Sequence, residues 1–398
     1  MNPRLDRLQT YPFQKLSALL EGAQPKLGLR PIPLYIGEPK HDTPAFIKQT
    51  LCDSLSGLAG YPATIGTPEL RQAIAGWLKR RYGLNEINAD TQIVPVAGTR
   101  EALFAIAQAV VDTEKDVYPI VVSPNPFYQI YEGAAILANA QPVFLNNVPQ
   151  NKYACEWDSL PSTVWQRVQL IYVCSPGNPT GHVMDLDEWR ALFELSDKYG
   201  FAIASDECYS EIYFDEAKPP LGALEAAQKL GRTGYPRLIV FSSLSKRSNV
   251  PGMRSGFVAG DAAIMKKYLL YRTYQGCAMS LPIQAASVVA WQDEAHVVEN
   301  RRLYREKFDT ALAILEPVLP VEKPEAAFYL WVRTPGSDTV FTRRLFESQA
   351  VSVLPGSYLA REAHGVNPGT NHVRIALVSS TEECAESARR IRDFVTSQ

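Results

Sequence analysis

The chemistry of this chain is predicted to centre on Lys246, which follows the apolar run Leu238 to Phe241 within the stretch Ser243-Leu-Ser-Lys-Arg. A lysine at the end of a buried strand, among small residues, suits an amine that loses its proton and attacks a carbonyl carbon. The hydroxyls of Ser243 and Ser245 and the guanidinium of Arg254 can hold a phosphate dianion. A carbonyl and a phosphate on one small molecule indicate pyridoxal phosphate. An isolated Ser-x-Ser-Lys, however, is more often a surface turn with a solvated lysine.

Two more apolar runs end in side chains that suit the ring of such a cofactor. Asn178, in Ser175-Pro-Gly-Asn-Pro-Thr-Gly181, can donate a hydrogen bond to a phenolate oxygen, although this sequence is equally typical of a tight turn. Asp206 ends the next run, where a cationic ring nitrogen would offset the cost of burying its carboxylate. The alternative for Asp206 is a helix N-cap. Tyr209 is a second candidate donor to the ring oxygen, or a core residue.

Three further segments could bind anions or stack on a ring. Gly98 stands at a predicted strand-to-helix turn, so the amides of Thr99 and Arg100 would favour a phosphate, with an ordinary capped helix as the alternative. Tyr128 could stack on a planar cofactor or pack in the core. Arg374 lies inside the apolar run 373–377, so it needs an anion, either a substrate carboxylate or an internal acid.

The composition describes an ordinary globular enzyme. The chain has 398 residues, 46% hydrophobic and 21% charged, with a net charge of -2. No basic stripe indicates nucleic-acid binding, and no apolar run is long enough to span a membrane. The cysteines lack metal-ligand spacing, so we expect no metal site and predict buried free thiols in a reducing, cytoplasmic compartment. They are Cys52, Cys155, Cys174, Cys208, Cys277 and Cys384.

Hydrophobic patterning predicts an α/β fold with a mainly parallel sheet covered by helices. Thr-Pro pairs predict helices over 44–57 and 68–82. The predicted strands of this part cover 93–96, 119–123, 142–145, 168–174, 201–205 and 238–242, and the helices between them cover 99–112, 127–138, 185–199 and 221–230.

After residue 280 the pattern changes to that of a smaller α+β domain. A long helix over 282–315 is expected to connect the two parts, followed by strands at 327–332, 351–354 and 373–377 and helices at 338–348 and 381–396. The predicted organisation is therefore an N-terminal arm over 1–45 that belongs to the small domain, a large domain over 46–281, and the small domain over 282–398.

These motifs, in this order, resemble class I/II aminotransferases of pyridoxal phosphate fold type I, and the resemblance covers essentially the whole chain. It implies that Lys246 binds the cofactor covalently, Asp206 pairs with the ring nitrogen, Asn178 and Tyr209 contact the ring oxygen, and Tyr128 stacks on the ring. It also implies a phosphate site and a carboxylate site in a homodimer. The phosphate ligands would be Gly98, Thr99, Arg100, Ser243, Ser245, Arg254 and, from a second subunit, Tyr61; the carboxylate ligands would be Gly37 and Arg374.

Within that family, the stretches beginning at Gly37, Asn125 and Ser245 are most similar to bacterial N-succinyldiaminopimelate aminotransferases of lysine biosynthesis. The resemblance implies glutamate and N-succinyl-2-amino-6-oxopimelate as small-molecule substrates. Lys40 and Arg247 are two extra cations near the inferred pocket, which could bind further substrate carboxylates or be solvated surface charges.

Other classes fit less well. Ser243-Leu-Ser-Lys246 also matches a Ser-x-x-Lys acyl-transfer motif, but its Ser-Asp-Asn and Lys-Thr-Gly companions are absent. A ligand sensor on the same fold would usually carry a DNA-binding module, for which the chain has no room. A C–S β-lyase, or an aminotransferase for aromatic residues, kynurenine, aspartate or alanine, would use the same lysine and aspartate.

Overall fold

A seven-stranded sheet forms the centre of the computed structural model, which describes residues 1–397. In spatial order its strands are Ile93–Val96, Gly256–Gly260, Leu238–Ser243, Ala202–Asp206, Val168–Cys174, Ile120–Asn125 and Gln141–Asn146. In this sheet Gly256–Gly260 is antiparallel to both neighbours, and the remaining neighbouring pairs are parallel. The predicted α/β class with a mainly parallel sheet is therefore confirmed.

Apolar side chains fill both faces of this sheet. Ile171 and Ile203 belong to the cluster on one face, and Leu170 and Ala204 belong to the cluster on the other. Successive side chains of a strand point to opposite faces, so a strand buried on both sides reads as a continuous apolar run. The helices that cover the sheet are Pro68–Tyr82, Thr99–Val110, Ile130–Leu137, Leu186–Tyr199, Ala223–Lys229, Ala262–Gln275 and Leu281–Gln292.

A second, antiparallel sheet has three strands, Leu354–Pro355, His372–Ala376 and Tyr329–Arg333. It packs with the helices Ala295–Leu315, Asp338–Gln349 and Thr381–Thr396 around a separate apolar core. The N-terminal segment joins this part, because Ile32–Pro33 pairs in parallel with Val351–Ser352. The domain boundaries themselves stay a prediction.

The remaining helices are short. They are the α-helices Pro12–Leu19, Ala45–Asp53, Ser162–Trp165 and Leu244–Arg247, and the 3-10 turns Pro3–Arg7, Leu55–Ala59, Pro149–Asn151, Trp157–Ser159, Pro251–Met253 and Gly356–Tyr358.

Helix signals in the sequence were reliable where a cap was present. Pro68–Tyr82 has the predicted bounds, since the Thr67 side chain accepts from the amide of Leu70 and Gly83 ends the helix with a φ of 61°. The helix expected over 282–315 is instead two helices, because Asp293 is extended, with φ -97° and ψ 132°.

Two predictions about surface and composition can be compared with the structure. Within residues 1–397, no helix has both the length and the apolar content needed to cross a membrane. All six cysteines are free, as predicted, but only Cys384 is buried. Cys155, Cys174 and Cys208 are half-buried, and Cys52 and Cys277 are exposed, so the prediction of buried thiols is wrong for these two.

Candidate active site

A cavity of about 450 Å³ lies where the strands Val168–Cys174, Ala202–Asp206 and Leu238–Ser243 end, and the three-stranded sheet closes its other side. Ligands of open α/β sheets bind at this edge. Most of the predicted site residues line it: Gly37, Thr99, Arg100, Tyr128, Asn178, Asp206, Tyr209, Ser243, Ser245, Lys246, Arg254 and Arg374.

Lys246 lies on the single-turn helix Leu244–Arg247, which begins directly after the strand Leu238–Ser243. The hydroxyl of Ser243 caps this turn by accepting a hydrogen bond of 3.0 Å from the amide of Ser245. Burial lowers the pKa of Lys246, against the opposing effect of Asp206. The amine therefore loses its proton more readily than a solvated lysine and is suited to attack a carbonyl carbon.

Asp206 is buried at the end of the strand next to that of Lys246. Its Oδ2 accepts a hydrogen bond of 2.7 Å from the phenol of Tyr131, and its Oδ1 accepts one of 3.3 Å from the amide of Cys208. Burial raises the pKa of Asp206, and within residues 1–397 it forms no ion pair. A buried carboxylate that no cation pairs with directly fits the protonated nitrogen of a pyridine ring.

The prediction missed Tyr131, which stacks on Tyr172 with ring centroids 4.6 Å apart. Its only signal in the sequence was a tyrosine on the predicted helix 127–138, where an apolar core residue is the usual interpretation.

The predicted phosphate ligands converge around Gly98, whose φ of +97° favours glycine. A Cβ at this position would collide with the guanidinium of Arg254 and the carboxylate of Glu101. Gly98 precedes the helix Thr99–Val110, so the free amides at that helix start face the same space. Arg254 donates a hydrogen bond of 3.0 Å to Glu101, an acid that the prediction missed.

The two serines complete this anion site. The Ser243 hydroxyl lies 2.9 Å from that of Ser245, and both are buried. Hydroxyls, helix amides and an arginine are the groups that bind a phosphate dianion. Together with Asp206 and Lys246, the residues present therefore fit pyridoxal phosphate.

Arg374 is buried on the strand His372–Ala376 and has no acidic partner within residues 1–397. It donates 2.9 Å hydrogen bonds to the Asn178 side chain and to the carbonyl of Tyr35, while its Nε makes none. A buried guanidinium without an acid suits a substrate carboxylate. Because Asn178 accepts through Oδ1, its amide NH₂ stays available for the oxygen of a cofactor ring.

Tyr329 was also missed, although it organises this side of the cavity. The Arg374 guanidinium lies 4.4 Å from the centre of its ring, and its hydroxyl is 3.0 Å from that of Tyr209. A Cβ at Gly37 would collide with the same hydroxyl. Tyr329 stands in an apolar strand, so nothing in its sequence context indicated this role.

Four predicted residues are not part of the cavity wall: Gly98, which stands directly before the helix Thr99–Val110, and Arg247, Lys40 and Tyr61. Arg247 contradicts its prediction as a substrate ligand: it is buried, pairs with Glu294 at 2.6 Å and packs over Trp291 at 5.0 Å. The reason is helical geometry, since its neighbour Lys246 faces the cavity. Lys40 is exposed and pairs with Glu38, which does line the cavity. Tyr61 is fully exposed.

The N-terminal arm also contributes to the wall, through Tyr11, Pro12 and Phe13. The sequence analysis assigned site roles to Gly37 and Lys40 of the arm, but it missed these three residues. Phe13 contacts Tyr35 with ring centroids 5.8 Å apart, which ties the arm to the segment that leads to Gly37.

Comparisons with known proteins agree with this geometry. The family model for class I and II aminotransferases matches residues 30–391. LL-diaminopimelate aminotransferase 2 of Nostoc sp. is 29% identical over 397 residues, covering 98% of this chain and 97% of the relative. A crystal structure of an aminotransferase from Neisseria meningitidis is 52% identical, with a TM-score of 0.96, and the match covers 99% of this chain and 100% of that one. A probable N-succinyldiaminopimelate aminotransferase from Thermus thermophilus, 24% identical, shares the fold with a TM-score of 0.85 over 96% of this chain and 100% of its own.

Proposed function

The chain belongs to the class I and II aminotransferases, which use pyridoxal phosphate, and we propose that it exchanges an amino group between glutamate and N-succinyl-2-amino-6-oxopimelate. The products are 2-oxoglutarate and N-succinyl-L,L-diaminopimelate. The observation that carries this proposal is the convergence of Lys246, Asp206 and Arg374 on one cavity that also exposes Arg100.

The residues divide the work of transamination. When bound, the cofactor withdraws electrons from the Cα–H bond of the amino donor. Lys246, whose pKa burial lowers, is the base that removes this Cα proton. Asp206 keeps the ring nitrogen protonated, and Arg374 holds the α-carboxylate so that the Cα–H bond faces the lysine.

Arg100 is the cation available for a second carboxylate. Its Nε donates a hydrogen bond of 2.7 Å to the hydroxyl of Tyr128, and its two Nη groups make no hydrogen bond within residues 1–397. Arg254 is occupied by the phosphate in this proposal, and Arg374 by the α-carboxylate. A donor with a carboxylate at each end, such as a diaminopimelate derivative or glutamate, would therefore reach Arg100.

In the reverse direction the proposed amino donor is N-succinyl-L,L-diaminopimelate. A second candidate donor is LL-diaminopimelate, which lacks the succinyl group. Glu38 lines the cavity and could bind the free ammonium at the far end of that molecule, where the succinylated substrate has an uncharged amide. Relatives of similar length that are 27–29% identical to this chain include LL-diaminopimelate aminotransferases.

The deciding experiment runs the reaction in reverse, with 2-oxoglutarate as the amino acceptor. It compares kcat/KM for N-succinyl-L,L-diaminopimelate and LL-diaminopimelate as amino donors, and includes kynurenine, aromatic amino acids, aspartate and alanine as competing donors. We expect the succinylated donor to have the highest value. A higher value for LL-diaminopimelate, reduced in Glu38→Gln, would establish the second candidate. Release of pyruvate and ammonia without an acceptor would indicate a β-lyase instead.

Arg100→Leu tests the substrate class separately from its identity. Loss of one charge-assisted hydrogen bond, about 1.5–3 kcal/mol, lowers kcat/KM for donors with two carboxylates by about 10- to 100-fold and leaves alanine nearly unchanged. Arg190→Leu, at an exposed position on the helix Leu186–Tyr199, is the matched control. An equal loss for alanine would contradict the role of Arg100.

We also infer a homodimer in which Tyr61 reaches the partner's phosphate site. Its support is the exposure of Tyr61 together with Leu55 and Leu58, an apolar surface next to the loop 60–66. A cytoplasmic location stays a prediction of the sequence.

A further inference from the structure

One face of the helix Ala295–Leu315 carries three buried polar residues that the proposed reaction does not use. Asn300, Tyr304 and Lys307 are separated by four and three positions, so they lie on the same side of the helix, and each is at most 2% exposed. They face the segment after Gly37 and the backbone of Lys246.

Lys307 is a buried lysine without a carboxylate partner in the described part of the chain. Its Nζ is in hydrogen-bond contact with Nε2 of His41 and donates to the carbonyl of Val378 at 3.2 Å. The acids and the thiol that act on Lys307 from its surroundings are Glu306, Glu382 and Cys384. An ammonium group can only donate, so Nε2 of His41 must accept.

This contact fixes the tautomer of His41. With Nε2 accepting, Nδ1 carries the proton and donates to Oδ1 of Asn300 at 2.6 Å. Burial and the charge of Lys307 lower the pKa of His41 to about 4, although Glu299 and Asp42 oppose this effect. His41 is therefore neutral at physiological pH, with one donor and one acceptor that are both used.

Asn300 connects His41 to the backbone of the catalytic lysine through hydrogen bonds. Its Nδ2 donates to the carbonyl of Lys246 at 3.1 Å and lies 3.4 Å from that of Arg247. Its Oδ1 also accepts from Asn249 at 3.0 Å. The amide of Asn300 is thus held from both sides, and His41 is two hydrogen bonds from the backbone of Lys246.

The segment Gly37 to Thr43 lies at the other end of these hydrogen bonds. His41 follows Gly37 and Glu38, which line the cavity, and Thr43 donates to the carbonyl of Asn249 at 2.8 Å. The segment that contributes to the carboxylate site and the turn that carries Lys246 therefore meet through His41 and Thr43.

We propose that His41 is a positioning residue: by bridging Lys307 and Asn300 it fixes the segment Gly37 to Thr43 against the backbone of Lys246, and so sets the distance between the substrate carboxylate and the catalytic amine. This inference rests on transamination at Lys246, as proposed above, and is independent of which amino donor is used. His41 does not line the cavity and acts through these hydrogen bonds.

Two substitutions of His41 separate positioning from simple packing. His41→Phe keeps a ring but removes both hydrogen bonds. His41→Gln keeps one donor and one acceptor. In the holoenzyme we expect His41→Phe to raise the KM of the amino donor about tenfold while kcat falls less, and His41→Gln to stay within about threefold of wild type. His364→Phe, at an exposed position away from the cavity, is the control.

A binding measurement gives a readout that does not need turnover. The Kd of glutarate, a dicarboxylate that cannot react, is read from the change in cofactor absorbance. It should rise about tenfold in His41→Phe and return toward wild type in His41→Gln. Equal Kd and KM in wild type and His41→Phe, with the wild type active, would overturn the inference. A wild type inactive with every donor would instead overturn the proposed function.

Lys307→Met covers the case in which His41→Phe does not fold. Replacing a buried charge that lacks a counter-ion by an apolar chain of similar length should leave Tm unchanged or higher. The tautomer of His41 is then no longer fixed, and we expect KM and the Kd of glutarate to rise at least about threefold. An unchanged Kd at preserved Tm would show that the cluster only packs.

Discussion

The phenol of Tyr131 donates a 2.7 Å hydrogen bond to Oδ2 of Asp206, so a buried tyrosine orients the carboxylate that would face the cofactor's ring nitrogen. Burial raises the pKa of Asp206, and this hydrogen bond acts in the opposite direction by favouring the charged form. The tyrosine thus keeps the acid charged and aimed at the same time.

Asp206→Asn should lower kcat far more than it weakens cofactor binding, because the carboxylate acts by keeping the ring nitrogen protonated. We expect a fall in kcat of about 100-fold or more, in the range found when a preorganised electrostatic group is removed, and a fall of about tenfold for Tyr131→Phe. Steady-state kinetics and a cofactor titration measure both. Near-normal turnover in Asp206→Asn would refute the role.

Lys246→Ala should abolish turnover, since it removes both the amine that binds the cofactor and the base that moves the Cα proton. Purified wild type should be yellow and lose its visible absorbance band on borohydride treatment. Peptide mapping should then find the cofactor on Lys246. Lys307 is the internal control, because it is also a buried lysine with a lowered pKa, to about 8, but lies outside the cavity wall. A label there would disprove the assignment.

Most strands of the central sheet were predictable because they are buried on both faces and read as continuous apolar runs. The strand Gly256–Gly260 and the helix Ala262–Gln275 were not predicted. Position 256 has no apolar side chain, and it must be glycine because a Cβ there would lie 2.7 Å from the carbonyl oxygen of Ser242. Only Phe257, Val258 and Ala259 of this strand are apolar, and they lie between two glycines, which are depleted in strands, so the pattern did not indicate a strand.

Site residues were predictable when they followed a buried strand or broke an apolar run with a charge. Asp206 and Arg374 are of this kind. Residues that act through long-range packing were not, because neither Tyr131 nor Tyr329 differs locally from an ordinary core aromatic. Arg247 shows the opposite error, in which a charge next to the catalytic lysine faces Trp291 instead of the substrate.

Hybrid dimers test the sharing of sites between subunits. Tyr61→Ala and Lys246→Ala should each be inactive alone, yet a hybrid contains one site with both residues intact. Random mixing makes about half of the dimers hybrids with one active site of two, so about a quarter of wild-type activity should return. Mass spectrometry of tagged subunits confirms exchange. No recovery despite exchange would argue against sharing.

His182 should make stability depend on pH on the alkaline side. It follows the turn that carries Asn178, and its ring lies 3.0 Å from Glu188 and 3.1 Å from Glu325. Burial lowers the pKa of His182, but these two acids outweigh burial and raise it to about 9. Between the unfolded pKa near 6.5 and about 9 the folded protein holds an extra proton. The stabilisation is therefore complete below about pH 6.5 and is lost as the pH rises through about 9.

The measurement is Tm of wild type and His182→Asn at about pH 6 and about pH 9.5, on either side of that window. The rise in the pKa of His182 limits its contribution to the free energy of unfolding to about 3 kcal/mol. We expect a smaller contribution because Glu325 is 61% exposed and screened by solvent. The Tm of wild type should therefore be higher than that of His182→Asn at about pH 6, and this difference should be clearly smaller at about pH 9.5. His364→Asn should show no such change. A difference between wild type and His182→Asn that is independent of pH would mean that His182 is neutral in the folded protein and contributes only by packing.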